Sequence, residues 1–160
     1  MMAIRNARAV RNPSPLDPRT EAMVRQALDE AGCRYTQQRG AVYSYLQGVE
    51  SHPTVEEVYR SVRRRVPRIS LATVYNALEA LVSARLAARL TSSDGRARYD
   101  CRSEDHYHLR DVETGEIRDL HVDFDPQLLA KLDPTLIKRL AGKGFEVTGY
   151  RLEVLGRFDK

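Results

Sequence analysis

Cysteines and long apolar runs are both scarce in this chain of 160 residues. Only Cys33 and Cys101 are present, and neither belongs to a CxxC motif. Their scarcity excludes a disulfide-stabilised scaffold and a zinc site made of thiolates, and it fits a reducing cytosol. No apolar run approaches about 18 residues, the length of a membrane-spanning helix, and no secretory signal opens the chain. We therefore expect a cytoplasmic protein without a membrane partner.

Charged residues make up 30% of the chain and are unevenly distributed, with a net charge of +4. Most arginines lie in residues 1–100, whereas residues 101–133 are rich in aspartate and glutamate. This pattern is typical of a polyanion-binding module followed by a segment that holds a cation. Residues 1–20 combine four arginines with three prolines, which predicts a disordered basic arm. Such an arm either contacts DNA phosphates or is an inert tail.

The first hundred residues have the apolar spacing of four helices. The predicted helices run from Glu21 to Gly32, from Thr36 to Gly48, from a capping box at Thr54 to Val66-Pro67, and from a cap at Ser70 to about Ser83. Two segments in which apolar and polar residues alternate follow at 85–91 and 96–100. The Asp94-Gly95 pair between them predicts a β-hairpin. The hairpin and the basic surface favour a winged helix-turn-helix domain over residues 21–100, rather than a generic helical bundle.

The rest of the chain changes to strands and short helices after a hinge at residues 101–104. We predict strands at 105–110 and 116–121 and a last strand from Phe145 to about Leu155. Asp125-Pro126 and Asp133-Pro134 each have the pattern of a helix cap followed by proline at the first helical position, so they predict two short helices. The side chains expected on the inner faces of these helices are Leu128, Leu129, Leu132, Leu136, Ile137 and Leu140. Residues 105–160 would form a small α/β domain, so the predicted fold class is α+β. Because so small a core leaves a sheet open, we expect a partner chain to cover it in a homodimer.

The fourth helix has a polar face once its apolar positions are buried. Ser70, Thr73, Tyr75 and Asn76 lie on this face, where they either read bases and phosphates or form an ordinary solvated surface. Arg39, near the start of the second helix, is a candidate phosphate clamp. These five residues are the predicted DNA contacts.

Two histidines, His106 and His108, are two residues apart in a predicted strand, so both imidazoles leave the same face. Asp119 lies on the returning strand, and Asp100 closes the hairpin before them. Imidazole nitrogens with carboxylate oxygens suit a divalent iron or manganese ion better than a thiolate-seeking zinc ion. The alternative is that both histidines serve surface or packing roles.

The sequence resembles the ferric uptake regulator (Fur) superfamily from about residue 21 to 158. The segments that carry the resemblance are T-Q-Q-R (36–39), H-P-T-V-E-E-V-Y (52–59), I-S-L-A-T-V-Y-N-A-L (69–78), G-R-A-R-Y-D (95–100), D-H-Y-H (105–108) and T-G-E-I-R-D-L (114–120). The resemblance implies a homodimeric, metal-dependent transcriptional repressor that binds operator DNA and is not an enzyme. It also implies a winged-helix domain followed by an α/β dimerisation domain.

Within the superfamily the chain is most similar to the peroxide-sensing branch (PerR). That similarity implies a regulatory site for one divalent ion, Fe²⁺ or Mn²⁺ in the cell and Zn²⁺ or Ni²⁺ in some crystals, with five ligands: His52, Asp100, His106, His108 and Asp119. It further implies that peroxide reacting with the iron form oxidises His52 or His106 and releases DNA, whereas the manganese form does not react. The Tyr75-Asn76 pair also resembles the residues that the peroxide-sensing branch has at these positions.

The chain departs from the family pattern at two places. Asp111 and Thr114 stand where a first zinc-binding CxxC pair would be, so we expect no structural four-cysteine zinc site. Tyr107, Pro126 and Tyr150 do not supply a further family metal site, so we expect one ion per subunit. Two alternatives stay open: a repressor of the same family that senses iron, manganese or haem, and, more distantly, a non-haem iron enzyme that uses two histidines and an aspartate.

Overall fold

Four helices and a two-stranded hairpin form the first part of the chain. The computed structural model describes residues 15–91, 95–101 and 105–159. The helices are α1 (Pro18–Glu30), α2 (Gln37–Gln47), α3 (Val55–Val62) and α4 (Leu71–Ser83). Strands β1 (Ala88–Thr91) and β2 (Ala97–Asp100) pair antiparallel as the wing. The predicted winged helix-turn-helix is confirmed, although Asp94 of its predicted turn lies outside the described residues.

Local capping explains where the helices begin. Thr36 accepts a hydrogen bond from the Arg39 backbone, Thr54 forms the predicted capping box with Glu57, and Ser70 accepts from the Thr73 backbone. The first helix begins earlier than predicted because Asp17 caps it and Pro18 takes its first position. The predicted disordered arm to residue 20 was therefore wrong for residues 18–20, and residues 1–14 lie outside the described chain.

The helices enclose one apolar core together with the end of the wing. Its fully buried side chains are Val24, Leu28, Val42, Val58, Val62, Val74, Leu78, Leu81 and Tyr99. Each buried valine or leucine contributes about 1.5–3 kcal/mol relative to its exposed state. This core fixes α4 against α2 and α3, so the polar face of α4 is held in one orientation.

A three-stranded sheet and two short helices form the second part. The central strand β3 (Tyr107–Asp111) pairs antiparallel with β4 (Ile117–Leu120) and parallel with β5 (Glu153–Gly156). Helices α5 (Leu128–Leu132) and α6 (Leu136–Ala141) precede β5. Strand β5 is shorter than predicted, with four residues.

The predicted aspartate caps of α5 and α6 were wrong. The Asp125 and Asp133 carboxylates instead accept hydrogen bonds from backbone N–H groups two residues on, at 3.0 and 2.9 Å, which closes local turns before each helix begins. Within the described chain neither helix buries a side chain, and Leu132 is 73% exposed. In a single subunit Leu132 and Ile137 are exposed, and the other predicted inward leucines, Leu128, Leu129, Leu136 and Leu140, are only half-buried.

Backbone and side-chain contacts join the two parts. The His52 backbone N–H donates to the Ile117 carbonyl at 3.3 Å, and Ser51 forms a bridge with Arg118. From the sheet, the Arg110 guanidinium forms two bonds with the Glu153 carboxylate and donates to the Thr91 carbonyl of the wing at 3.1 Å. These contacts bring the α2–α3 loop and the wing onto one side of the sheet. In the described ranges, no helix combines the length and apolar character needed to cross a membrane.

Candidate metal centre

A cluster of histidines and aspartates lies where the two parts of the molecule meet. His52 stands on the α2–α3 loop just before the capped start of α3, and Asp100 is the last residue of β2. His106 immediately precedes β3, His108 lies within it, and Asp119 lies on β4. The cluster therefore draws on the loop, the wing and the sheet, and it joins residues that are distant in sequence.

The register of the sheet brings the second half of the cluster together. His108 is paired with Asp119 across β3 and β4, so the two side chains share one face. His106 is two residues before His108 and reaches the same side, as its ring centroid is 4.5 Å from that of His108. The predicted common face of the two histidines is thus present.

The donor atoms of five polar side chains lie close to one another. The Nε2 atom of His106 lies 3.2 Å from Asp100 Oδ2 and 3.1 Å from Asp119 Oδ1. The Nε2 atom of His52 lies 3.1 Å from Asp119 Oδ1 and 3.8 Å from Asp100 Oδ2, and that of His108 lies 3.8 Å from Asp100 Oδ2. Ligand atoms of His52, Asp100, His106 and His108 all lie within 4.8 Å of one another. All five predicted ligands are therefore brought together.

The chemistry of the cluster fits a divalent cation. His52 is 3% exposed, and the buried Nε2 atoms of His52 and His108 make no hydrogen bond within the described part of the chain. An unsatisfied buried polar group costs about 1–3 kcal/mol. Two buried carboxylates also repel each other unless a positive charge lies between them. An ion bound by three imidazole nitrogens and carboxylate oxygens would remove both costs, and this donor set suits iron or manganese.

Solvent approaches the cluster from two sides. A cavity of about 270 Å³ is lined by His52, Asp100, Asp119 and the thiol-bearing Cys101. A wider cleft of about 510 Å³ reaches Asp100, His106 and His108. The His106 side chain, at 16% exposure, is the most accessible histidine of the three. Both openings therefore lead to residues of the cluster, although the Nε2 atoms of the three histidines are themselves buried.

Tyr107 and Tyr150, which stand at positions of the further family metal site, belong to an aromatic cluster. The Tyr107 and Tyr150 hydroxyls hydrogen bond to each other at 2.9 Å, and the Asp125 backbone N–H donates to Tyr107 at 2.9 Å. Phe124 stacks on Tyr150, and the Tyr150 hydroxyl donates to the Asp125 carbonyl. Desolvation by burial raises the pKa of Tyr150. The group is held by phenol and ring contacts.

Asp111 has a structural role that the sequence did not reveal. Its carboxylate accepts hydrogen bonds at 2.8 Å from the Glu113 and Thr114 backbone in the β3–β4 turn and from the Phe158 backbone near the end of the chain. These backbone N–H donors, that of Phe158 first, lower the pKa of Asp111 to about 2. Asp111 thus ties the hairpin turn to the C-terminal segment at the position where the family places a cysteine. Its partner Phe158 is too far along the chain for local patterns to identify.

The predicted DNA contacts lie on the exposed side of the helical part. Tyr75, at 44% exposure, and Asn76 are both accessible on α4. The Ser70 and Thr73 hydroxyls are 2.8 Å apart and take part in the helix cap, so any contact with DNA would share them. The half-buried Arg39 donates to the Arg34 carbonyl at the base of α2. Tyr75 and Asn76 are therefore the two of the five predicted DNA contacts whose side chains are most available to DNA.

Comparison with known proteins gives one family. The sequence profile of the ferric uptake regulator family matches residues 30–155. The "Peroxide operon regulator" of Bacillus subtilis (strain 168) is 35% identical over 134 residues, covering 82% of this chain and 86% of that protein.

Solved structures agree in fold. A zinc-bound manganese uptake regulator is 30% identical with a TM-score of 0.61, covering 85% of this chain and 98% of its own. The Campylobacter jejuni peroxide stress regulator is 26% identical with a TM-score of 0.58, covering 91% and 98% respectively. The predicted α+β class, a winged-helix domain followed by a small α/β domain, is confirmed. The chain belongs to the ferric uptake regulator family.

Proposed function

We propose that this chain is a metal-dependent repressor that binds operator DNA when a divalent ion occupies the candidate centre, and that peroxide ends repression by oxidising a ligand histidine. The observation that carries the proposal is the convergence of the five donors from both parts of the molecule. Members of the ferric uptake regulator family are transcription regulators, which argues against the distant alternative of a non-haem iron enzyme.

The position of the centre explains how an ion would control DNA binding. His52 and Asp100 belong to the helical part, whereas His106, His108 and Asp119 belong to the sheet. An ion bound by all five would select one angle between the two parts. In a dimer that angle sets the spacing of the two α4 helices on a pseudo-palindromic operator. The ion's differential affinity for this arrangement would set how far DNA binding shifts.

The donor set supports iron or manganese as the ion. We further propose one ion per subunit and, because the chain has only two cysteines, no structural four-cysteine zinc. A ferrous ion held by these residues would supply the one-electron step that starts the reduction of peroxide, which a manganous ion does not. Over the whole reaction one oxygen atom of peroxide would pass to an imidazole carbon and the other would leave as water, so peroxide is the two-electron oxidant. We propose that His52 or His106 gains the oxygen atom, because both imidazoles line the centre and His106 is its more accessible edge. An oxidised imidazole is a poorer donor, so the centre loosens and DNA is released. The Bacillus subtilis relative's name as a peroxide regulator supports this reading.

The second candidate function is sensing of the metal level itself. The match to a manganese uptake regulator, at 30% identity, supports it. In that case the ion would equilibrate with the cell's metal pool, and no histidine would change covalently. The two candidates predict the same metal-dependent DNA binding and differ only in the response to peroxide.

The remaining assignments are proposals that the fold supports. We propose residues 21–100 as the DNA-binding domain, 101–104 as the hinge and 105–160 as the dimerisation domain. Exposed apolar side chains on and between α5, α6 and β5 would form the homodimer interface, namely Leu132, Ile137, Phe145, Val154 and Leu155. Arg39, Ser70, Thr73, Tyr75 and Asn76 are the proposed DNA contacts. A chromosomal DNA partner implies a cytoplasmic location.

Fluorescence anisotropy tests metal dependence directly. A DNA duplex is selected from a random-sequence library by the Mn²⁺-loaded protein, and its affinity is measured with Mn²⁺ and after chelation. We expect chelation to weaken binding by about 5–150-fold, the usual range of coupling between sites. Equal affinity with and without metal would contradict the proposal.

A further inference from the structure

Arg98 is a buried arginine on β2, at 7% exposure, whose side chain crosses to the loop that carries His52. Its Nη1 atom donates to the His52 carbonyl at 2.9 Å and lies 3.6 Å from Glu57 Oε2. Its Nε atom makes no hydrogen bond within the described chain. Removing a guanidinium from water costs several kcal/mol, so a buried arginine is weak evidence for stability alone.

The Arg98 contact joins three elements of the DNA-binding part. Glu57 Oε2, beside the guanidinium, also accepts the Thr54 backbone N–H at 2.7 Å in the capping box of α3. The backbones of Thr54 and Arg98 form an isolated antiparallel β-bridge, and the Tyr99 N–H donates to the Pro53 carbonyl at 3.0 Å. The loop after α2, the start of α3 and the wing strand are thus bound together, and α3 shares its buried core with α4.

The rigidity of this loop decides whether metal binding at His52 can move the DNA-binding elements. His52 is attached to the sheet through its backbone N–H, which donates to the Ile117 carbonyl at 3.3 Å, and its Nε2 atom faces Asp119 Oδ1 at 3.1 Å. If the loop were compliant, an ion could draw His52 toward the sheet while α3 and α4 stayed free to move. With the His52 carbonyl held by Arg98, a displacement of His52 must carry the wing and α3 with it.

We infer that Arg98 is the positioning residue that transmits metal binding at His52 to the DNA-binding surface. The inference rests on the proposed function and deepens it. Arg98 touches neither the proposed ion nor DNA in this account. Its loss should therefore leave the centre able to bind metal while uncoupling that event from DNA affinity.

The test is the ratio of DNA affinities with and without Mn²⁺, measured on the selected duplex for the full chain. Arg98→Met keeps the volume of the side chain but removes its donors. We expect the ratio to fall by about tenfold, while Mn²⁺ affinity measured calorimetrically without DNA changes by less than about threefold. Because coupling is reciprocal, DNA should also raise the Mn²⁺ affinity of the variant by about tenfold less than in the wild type.

Two further variants separate positioning from charge and folding. Arg89→Met removes a charge from the exposed neighbouring strand of the wing, so it should lower DNA affinity equally with and without metal and leave the ratio unchanged. Arg98→Lys keeps one donor and should restore most of the ratio. If circular dichroism shows Arg98→Met unfolded, Arg98→Gln takes its place, since its amide is too short to reach the His52 carbonyl.

The outcomes distinguish this inference from the proposed function. An unchanged ratio in a folded Arg98→Met or Arg98→Gln variant would overturn the positioning role. So would a loss of Mn²⁺ affinity without DNA that equals the loss in the ratio, because it would mean that Arg98 only builds the site. A wild-type protein with no metal-dependent DNA binding would instead remove the proposed function itself.

Discussion

At the residue scale, the candidate centre depends on donors whose partners are distant in sequence. His106 and His108 are neighbours on one strand, but Asp119 reaches them only through the β3–β4 register, and His52 arrives from the helical part. The two-residue spacing of the histidines was visible in the sequence. The strand pattern also pointed to Asp100 and Asp119, whereas the contribution of His52 was available only through the family resemblance.

Removing one donor should abolish tight metal binding. For His108→Ala we expect a loss of Mn²⁺ affinity of at least about 100-fold, because changes beyond the direct ligands alone cost about 10–100-fold. The matched control is His121→Ala, which removes an exposed histidine outside the cluster and should bind Mn²⁺ normally. Isothermal titration calorimetry measures both. Similar affinities for the two variants would argue against the centre.

Asp111 should stabilise the fold in a pH-dependent way. Its folded pKa of about 2 lies below the ordinary 3.8, so its contribution is complete above the ordinary value and is lost as the pH falls toward 2. The difference in unfolding free energy between the wild type and Asp111→Asn should thus be greatest near neutral pH and shrink below 3.8. Urea unfolding of the metal-free proteins over this range measures it. A difference that does not vary with pH would contradict a role for the ionised carboxylate.

At the scale of elements, features that depend on interactions between residues close in sequence could be predicted, and features that depend on distant contacts could not. Helix α4 was predicted accurately because its Ser70 cap and apolar spacing are local signals. The shortness of β5 and the exposure of α5 and α6 were missed, since apolar spacing marks a face without saying what covers it. The buried side chain of Arg98 was missed because its partner, the His52 carbonyl, is far away in sequence.

The polar face of α4 gives a prediction about sequence readout. Asn76→Ala should lower affinity for the selected duplex by a factor that corresponds to about 1–3 kcal/mol, while affinity for a scrambled duplex and the salt dependence stay nearly constant. Gln26→Ala, an exposed change on α1, is the control and should leave both affinities unchanged. Equal losses on the selected and scrambled duplexes would show that Asn76 does not read bases.

At the scale of the whole molecule, a single subunit leaves its second part incomplete. Leu132, Ile137 and Phe145 are exposed, and such a patch on a small domain is typical of an interface. The helical part, by contrast, has a continuous core of its own. Dimerisation and metal binding would therefore act on the same small sheet, one from its apolar helices and the other from its histidine face.

Charge placed on the proposed interface should separate the subunits. Ile137→Asp should convert a dimer to a monomer in light scattering and weaken binding to the selected duplex, because two α4 helices no longer act together. Met23→Asp makes the same change at a similarly exposed position on α1, at 44% against 40%, and should leave the dimer intact. Two variants that both stay dimeric would assign the interface to another surface.

The most direct measurement compares the iron and manganese forms before and after a small pulse of peroxide. Both forms are loaded without oxygen, and anisotropy follows the selected duplex. We predict that only the iron form releases DNA and that mass spectrometry finds one added oxygen on a peptide containing His52 or His106. If both forms keep DNA through the pulse and release it on chelation, the chain senses metal and the peroxide mechanism is wrong.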